Sequence, residues 1–132
     1  MNVQYVNQQD ESDPMNRAVI GGSEKLSELL DQRRKNAPFV AELSADNGYQ
    51  LMIGIGSGIC FAQYSRANGE LPYLVAVPAQ PRVKSRYVEF LMNNTLTPIP
   101  GRYVLTFEEM KQIALHFLKT GERAQAFAWE PI

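Results

Sequence analysis

The 132-residue sequence predicts an α+β fold: a mainly antiparallel sheet of five or six strands, with two principal helices packed on one face. Three observations carry this expectation. Residues 38–92 hold runs of aliphatic, aromatic and β-branched residues of strand length. Short separators rich in Gly, Asn and Asp lie between them, as adjacent hairpins require. Two stretches outside this region, near residues 23–36 and 106–120, instead space their apolar residues three and four apart.

In chain order, residues 1–15 read as an N-terminal arm, either flexible or an edge strand at Val3 to Val6. Residues 7–16 are polar and include Asp10, Glu11, Ser12, Asp13 and Pro14. Residues 16–132 read as one α+β domain. In the first helix Ser23 is expected to cap, Leu26, Leu29 and Leu30 share a face, and Arg33, Arg34 and Lys35 suit a helix C-terminus. Strands follow at Phe39 to Leu43, Tyr49 to Ile55, Ile59 to Tyr64, Pro72 to Val77 and Tyr87 to Met92. Asp46-Asn47-Gly48, Gly56-Ser57-Gly58, Asn68-Gly69 and Asn93-Asn94 supply residues that tolerate positive φ. Two prolines and three cations make PAQPRVKSR, residues 78–86, an exposed and mobile loop.

The second helix has the sharper signature. Thr106 and Glu109 match the S/T-x-x-E capping box, and Leu105 can staple onto Met110. Phe107, Met110, Ile113, Ala114, Phe117 and Leu118 form a core-facing stripe, and Gly121 stands where a left-handed residue ends the helix. Beyond it Ala124, Ala126 and Ala128 alternate with Gln125, Phe127 and Trp129. This predicts a last strand with a small face against which a helix packs closely.

Composition narrows the function classes. Thirteen basic and 14 acidic residues leave a formal charge of −1, without the electropositive field that holds a phosphate backbone, so no direct nucleic-acid partner is expected. No stretch approaches the roughly 18 consecutive apolar residues of a membrane span, and no membrane partner is expected. Cys60 stands alone among Ile59, Phe61 and Ala62, as a small buried hydrophobe does; with no secretory signal at the N-terminus, this points to a reducing compartment, the cytoplasm.

Catalytic chemistry is poorly supplied. His116 is the only histidine, which rules out a multi-histidine metal site, and it lies beside the apolar stripe of its helix. Gly54-Ile55-Gly56-Ser57-Gly58 lacks the Lys-Ser/Thr of a phosphate-binding loop and leads into strand-like sequence. Glu108 and Glu109 suit a helix N-terminus. No catalytic residue, cofactor or metal is expected, and the chain is not expected to be an enzyme. What remains has binding character: Tyr64, Arg66, Asn68 and Glu70 around one hairpin, with Tyr73, Tyr87 and Glu89 on nearby strands.

The chain also resembles a known family, the Imm1-type bacterial immunity proteins that accompany polymorphic and contact-delivered toxins. The resemblance runs from NGYQLMIGIGSGICFAQY through VEFLMNNTLTPIP to TFEEMKQIALHFLKTGERAQAFAWE, over about residues 20–130. It departs where Asn93-Asn94 replaces a Gly-Gly turn and where Pro98, in place of an acidic residue, precedes Ile99. It implies self-protection: binding of a cognate toxin domain, as a monomer in a 1:1 complex, that blocks the toxin's active site or substrate access. The toxins implied are of the nucleic-acid deaminase class, whose basic surfaces Glu70 and Glu89 would meet. On this reading Tyr64→Ala or Glu89→Arg weakens binding without unfolding the domain. The alternative is a non-catalytic adaptor or secretion-associated binding module.

Overall fold

The computed structural model describes residues 1–132 and contains nine strands and two helices. The strands are β1 (Val3–Asn7), β2 (Val19–Ile20), β3 (Phe39–Ala45), β4 (Tyr49–Ile55), β5 (Phe61–Arg66), β6 (Leu74–Val77), β7 (Tyr87–Met92), β8 (Thr95–Pro100) and β9 (Ala128–Pro131). The helices are α1 (Ser23–Arg33) and α2 (Phe107–Thr120). The main sheet has the order β2-β1-β3-β4-β5-β6-β9 with antiparallel neighbours; β7 joins β3 through one parallel bridge, Phe39 to Leu91, and carries β8.

The α+β class and the mostly antiparallel sheet match the sequence reading, but nine strands exceed the five or six expected. Two of the additions have plain reasons. β2 is only two residues long, below any periodicity. β8 contains Pro98 and Pro100, which argue against a strand unless it lies at an edge, and β8 pairs only with β7. Pro98 faces Glu89 and Pro100 faces Tyr87 at positions whose backbone nitrogens point away from β7, so neither proline removes a ladder bond.

Register explains the core. Leu43 pairs with Tyr5 on one side and Leu51 on the other, Ala41 with Ile53, and Ile53 with Ala62, which puts these side chains on one face. They join Leu26, Leu29 and Leu30 of α1 and the predicted α2 stripe in one cluster of 25 buried residues. On the opposite face Val40, Phe61 and Phe90 form a smaller cluster beneath the β7–β8 hairpin. The Phe61 and Phe90 rings meet edge to face, centroids 4.9 Å apart. Gly54 makes room for them, since a β-carbon there would run into both rings.

Local signals decide the helix ends. Thr106 N–H donates to the Glu109 carboxylate at 2.9 Å, Glu109 N–H donates to Thr106 Oγ1 at 3.1 Å, and Gly121 closes α2 at φ 71°. Ser23 does not cap α1 as expected; it is the first helical residue, and Gly22 precedes it without a side-chain cap. Asn93 and Asn94 both take positive φ, as a two-residue hairpin turn requires, and so do Gly48 and Gly69. Gly56 and Gly58 do not; Gly56 instead permits close backbone approach, since a β-carbon would lie 2.6 Å from the Ile59 carbonyl oxygen.

The alanine-faced last strand is also corrected. Only Ala128–Pro131 is extended; Ala124 is buried just before the turn at Gln125 and Ala126, while Ala126 and Ala128 are exposed, so no small face receives a helix. Residues 78–86 form neither helix nor strand, and Arg82 in that loop pairs with Glu109 at 2.7 Å.

The N-terminal segment is held by a buried carboxylate. Asp13, its side chain 2% exposed, receives two bonds from Arg33 of α1, at 2.7 and 2.8 Å. It also receives bonds from the Tyr5 hydroxyl and Asn7 Nδ2, both at 3.0 Å, and from Met15 N–H at 2.9 Å. Burial alone would raise its pKa, but the hydrogen bonds, Arg33 first, outweigh it and hold the carboxyl well below the usual carboxylate range. Burial, and then Asp13 itself, pushes the Tyr5 phenol far up.

Candidate partner-binding surface

Five of the seven residues singled out from sequence gather at the β5–β6 end of the sheet. Arg66 closes β5; Asn68 and Gly69 turn the chain, with Gly69 N–H donating to the Arg66 carbonyl and Glu70 N–H to Asn68 Oδ1. The Tyr73 hydroxyl donates to the Gly69 carbonyl at 2.5 Å, tying the return of the loop to its tip. Leu71 projects from the same loop, 70% exposed.

Beneath this loop lies a cleft of about 410 Å³, lined among others by Tyr49, Tyr64, Arg66, Pro72, Leu74 and Arg123. The Tyr49 and Tyr64 rings stack at 5.0 Å and 10°. The Arg66 guanidinium lies over Tyr49 at 5.3 Å and that of Arg123 over Tyr64 at 5.8 Å. The end of α2 delivers Arg123, and Gly121 anchors it: its carbonyl accepts from Asn47 Nδ2 at 3.0 Å and from the Tyr64 hydroxyl at 3.2 Å.

Tyr64 is also a core residue. It is 9% exposed, it meets Phe117 and Trp129 edge to face, and it belongs to the main core. Burial, with Tyr49 second, raises its pKa, while Arg123 and Arg66 act in the opposite direction. Replacing it with alanine therefore strikes the core, which corrects the expectation that Tyr64→Ala leaves the fold intact.

Tyr87 and Glu89 stand apart from this group. They lie on β7, facing outward opposite the two prolines of β8, and Arg86 approaches the Tyr87 ring at 5.8 Å. Sequence reasoning missed Tyr49 and Arg123. The register of the β4–β5 hairpin, which pairs Tyr49 with Arg66 and Leu51 with Tyr64, was the signal that placed Tyr49 there. Arg123 had none, because its approach depends on how α2 ends against the sheet.

A larger cleft of about 1540 Å³ lies between the N-terminal loop, the residues after α1 and the β7–β8 turn, and none of the seven residues lines it. It is bridged by Gln9 and Asn94: Gln9 Nε2 donates to Asn94 Oδ1 at 2.8 Å, and Asn94 N–H donates to Gln9 Oε1 at 2.7 Å.

Cys60 is fully buried, and burial pushes its thiol up to about 11. His116 is half-buried on α2. Glu109, although burial acts against ionisation, is held low by Arg82 and serves the helix cap. No three His, Cys, Asp or Glu residues gather as metal ligands, and no helix is long and apolar enough to cross a membrane.

No curated protein matches the chain significantly. The family model for the immunity protein Imm1 matches residues 16–131, nearly the whole length, and the chain therefore belongs to the Imm1 immunity protein family.

Proposed function

We propose that the chain is a non-catalytic inhibitor that binds a cognate toxin domain in the cytoplasm of the cell producing it. One copy covers one toxin, at its active site or on the path by which substrate enters. The observation that best supports this is the grouping, in an Imm1 chain, of stacked Tyr49 and Tyr64 with Arg66, Arg123, Tyr73 and exposed Leu71 at one end of the sheet. Tyrosine and arginine dominate the energetics of protein interfaces, and an apolar anchor beside them is the composition of a docking site.

The target we propose is a nucleic-acid deaminase toxin. Such enzymes seat a base in a pocket before a zinc-activated water, so an inhibitor needs only to close the pocket. Glu70 and Glu89, both exposed, offer carboxylates to the basic surface along which nucleic acid enters.

The test is an affinity pull-down from the source bacterium with the tagged protein as bait, followed by activity assays of whatever binds. Recovery of a toxin domain whose activity disappears on mixing supports the proposal. Recovery of non-toxic partners alone, with the toxin demonstrably expressed, replaces it with the adaptor reading.

A further inference from the structure

The cleft at the β5–β6 end has an electrostatic character that the chain as a whole lacks. Three of the eight arginines pair with carboxylates, Arg33 with Asp13, Arg82 with Glu109 and Arg102 with Glu130, all within 2.8 Å, whereas Arg17, Arg34 and Arg86 stand singly outside the cleft. Arg66 and Arg123 hold no carboxylate. Each guanidinium rests on one tyrosine of the stacked pair and keeps its N–H donors open, and the Tyr49 hydroxyl makes no hydrogen bond within the chain. Glu122 lines the same cleft, so two cations and one anion leave it net positive in a chain of charge −1.

We propose that this cleft seats a carboxylate-bearing side chain of the partner, an aspartate or glutamate flanked by an aromatic or apolar residue. This rests on the toxin-binding reading above and names what that surface takes from the toxin. Guanidinium donors match a carboxylate in geometry and charge. The walls made by Pro72, Leu74 and the tyrosine rings accept the apolar neighbour. Glu122 repels an anion at its own end, which directs the incoming carboxylate toward Arg66. A phosphate would satisfy the same donors, but the apolar walls and the acidic net charge favour a single carboxylate over a polyanion.

The experiment follows the Arg66 and Arg123 Nε–H resonances of the full chain by NMR while acetyl-Tyr-Glu-amide, acetyl-Tyr-Gln-amide or inorganic phosphate is added at matched ionic strength. Saturable shifts at millimolar acetyl-Tyr-Glu-amide, absent with the glutamine peptide and lost in R66Q/R123Q, are expected. No saturable shift, or an equal response to the glutamine peptide, overturns the proposal. A stronger response to phosphate also overturns it, and points to a phosphate-bearing ligand.

With a toxin recovered in the pull-down, R66Q/R123Q is expected to bind about 100-fold more weakly while its amide spectrum stays native. Undiminished binding by that variant overturns the inference and leaves the immunity reading intact. Recovery of non-toxic partners alone, with the toxin demonstrably expressed, overturns the immunity reading alone, since the peptide titration still decides the chemistry of the cleft.

Discussion

The N-terminal knot around Asp13 and the cleft around Arg66 use the same residue types in opposite ways. At the knot one carboxylate, 2% exposed, meets Arg33, Tyr5, Asn7 and a backbone N–H, and no buried side-chain nitrogen or oxygen lacks a partner. At the cleft, tyrosines pack but two guanidiniums remain open to solvent. A buried charge is tolerated only when fully partnered, so the knot serves the fold. An exposed charge contributes little to stability, so the open arginines are available for binding.

Breaking the knot should have the largest effect. Asp13→Ala leaves Arg33, only 15% exposed, without its anion and is expected to destabilise by about 3–5 kcal/mol, read from urea unfolding. Acid should weaken the same contact. Because the folded carboxyl lies below its unfolded value, the unfolded chain binds the extra proton, and the contribution is complete above about pH 5 and lost progressively as pH falls below that. Asp13→Asn should flatten that dependence; an unchanged slope between pH 5 and pH 3 would remove Asp13 as its source.

Tyr64 tests the border between the two regions. Tyr64→Ala should cost about 3 kcal/mol by opening the core, whereas Tyr64→Phe should cost about 1 kcal/mol through the lost bond to the Gly121 carbonyl. Equal stability of wild type and Tyr64→Ala would return Tyr64 to the surface. On the second face, Gly54→Ala should cost about 1–3 kcal/mol by forcing Phe61 and Phe90 apart, visible as a lowered melting temperature. The smallest change is expected at the cleft: Arg66→Ala should alter stability by less than about 0.5 kcal/mol. A larger loss would make Arg66 a structural residue and blur the contrast.

Much of the fold was legible because its signals are local. The capping box at Thr106 and Glu109, the glycine stop at Gly121 and the Asn93-Asn94 turn each need only neighbouring residues, and each forms as read. What was missed depends on distant partners. Residues 7–16 look like a solvated run, yet Asp13 is buried because Arg33, 20 residues away, comes to it. Tyr64 resembles an interface anchor in sequence and becomes core only when α2 and β9 bring Phe117 and Trp129 against it. The alternation of alanines near the C-terminus is too short to outweigh the turn that leads out of α2.

The prolines of β8 have a consequence for how such a protein meets its partners. Their nitrogens face the open edge and carry no hydrogen, and Pro131 does the same on β9, where Ile132 N–H turns inward to the Tyr73 carbonyl. A visiting strand finds few backbone donors along β8 or β9. At these two edges identity between partners must then be read through side chains, contact by contact, rather than by the stitching of a neighbour's strand onto the sheet.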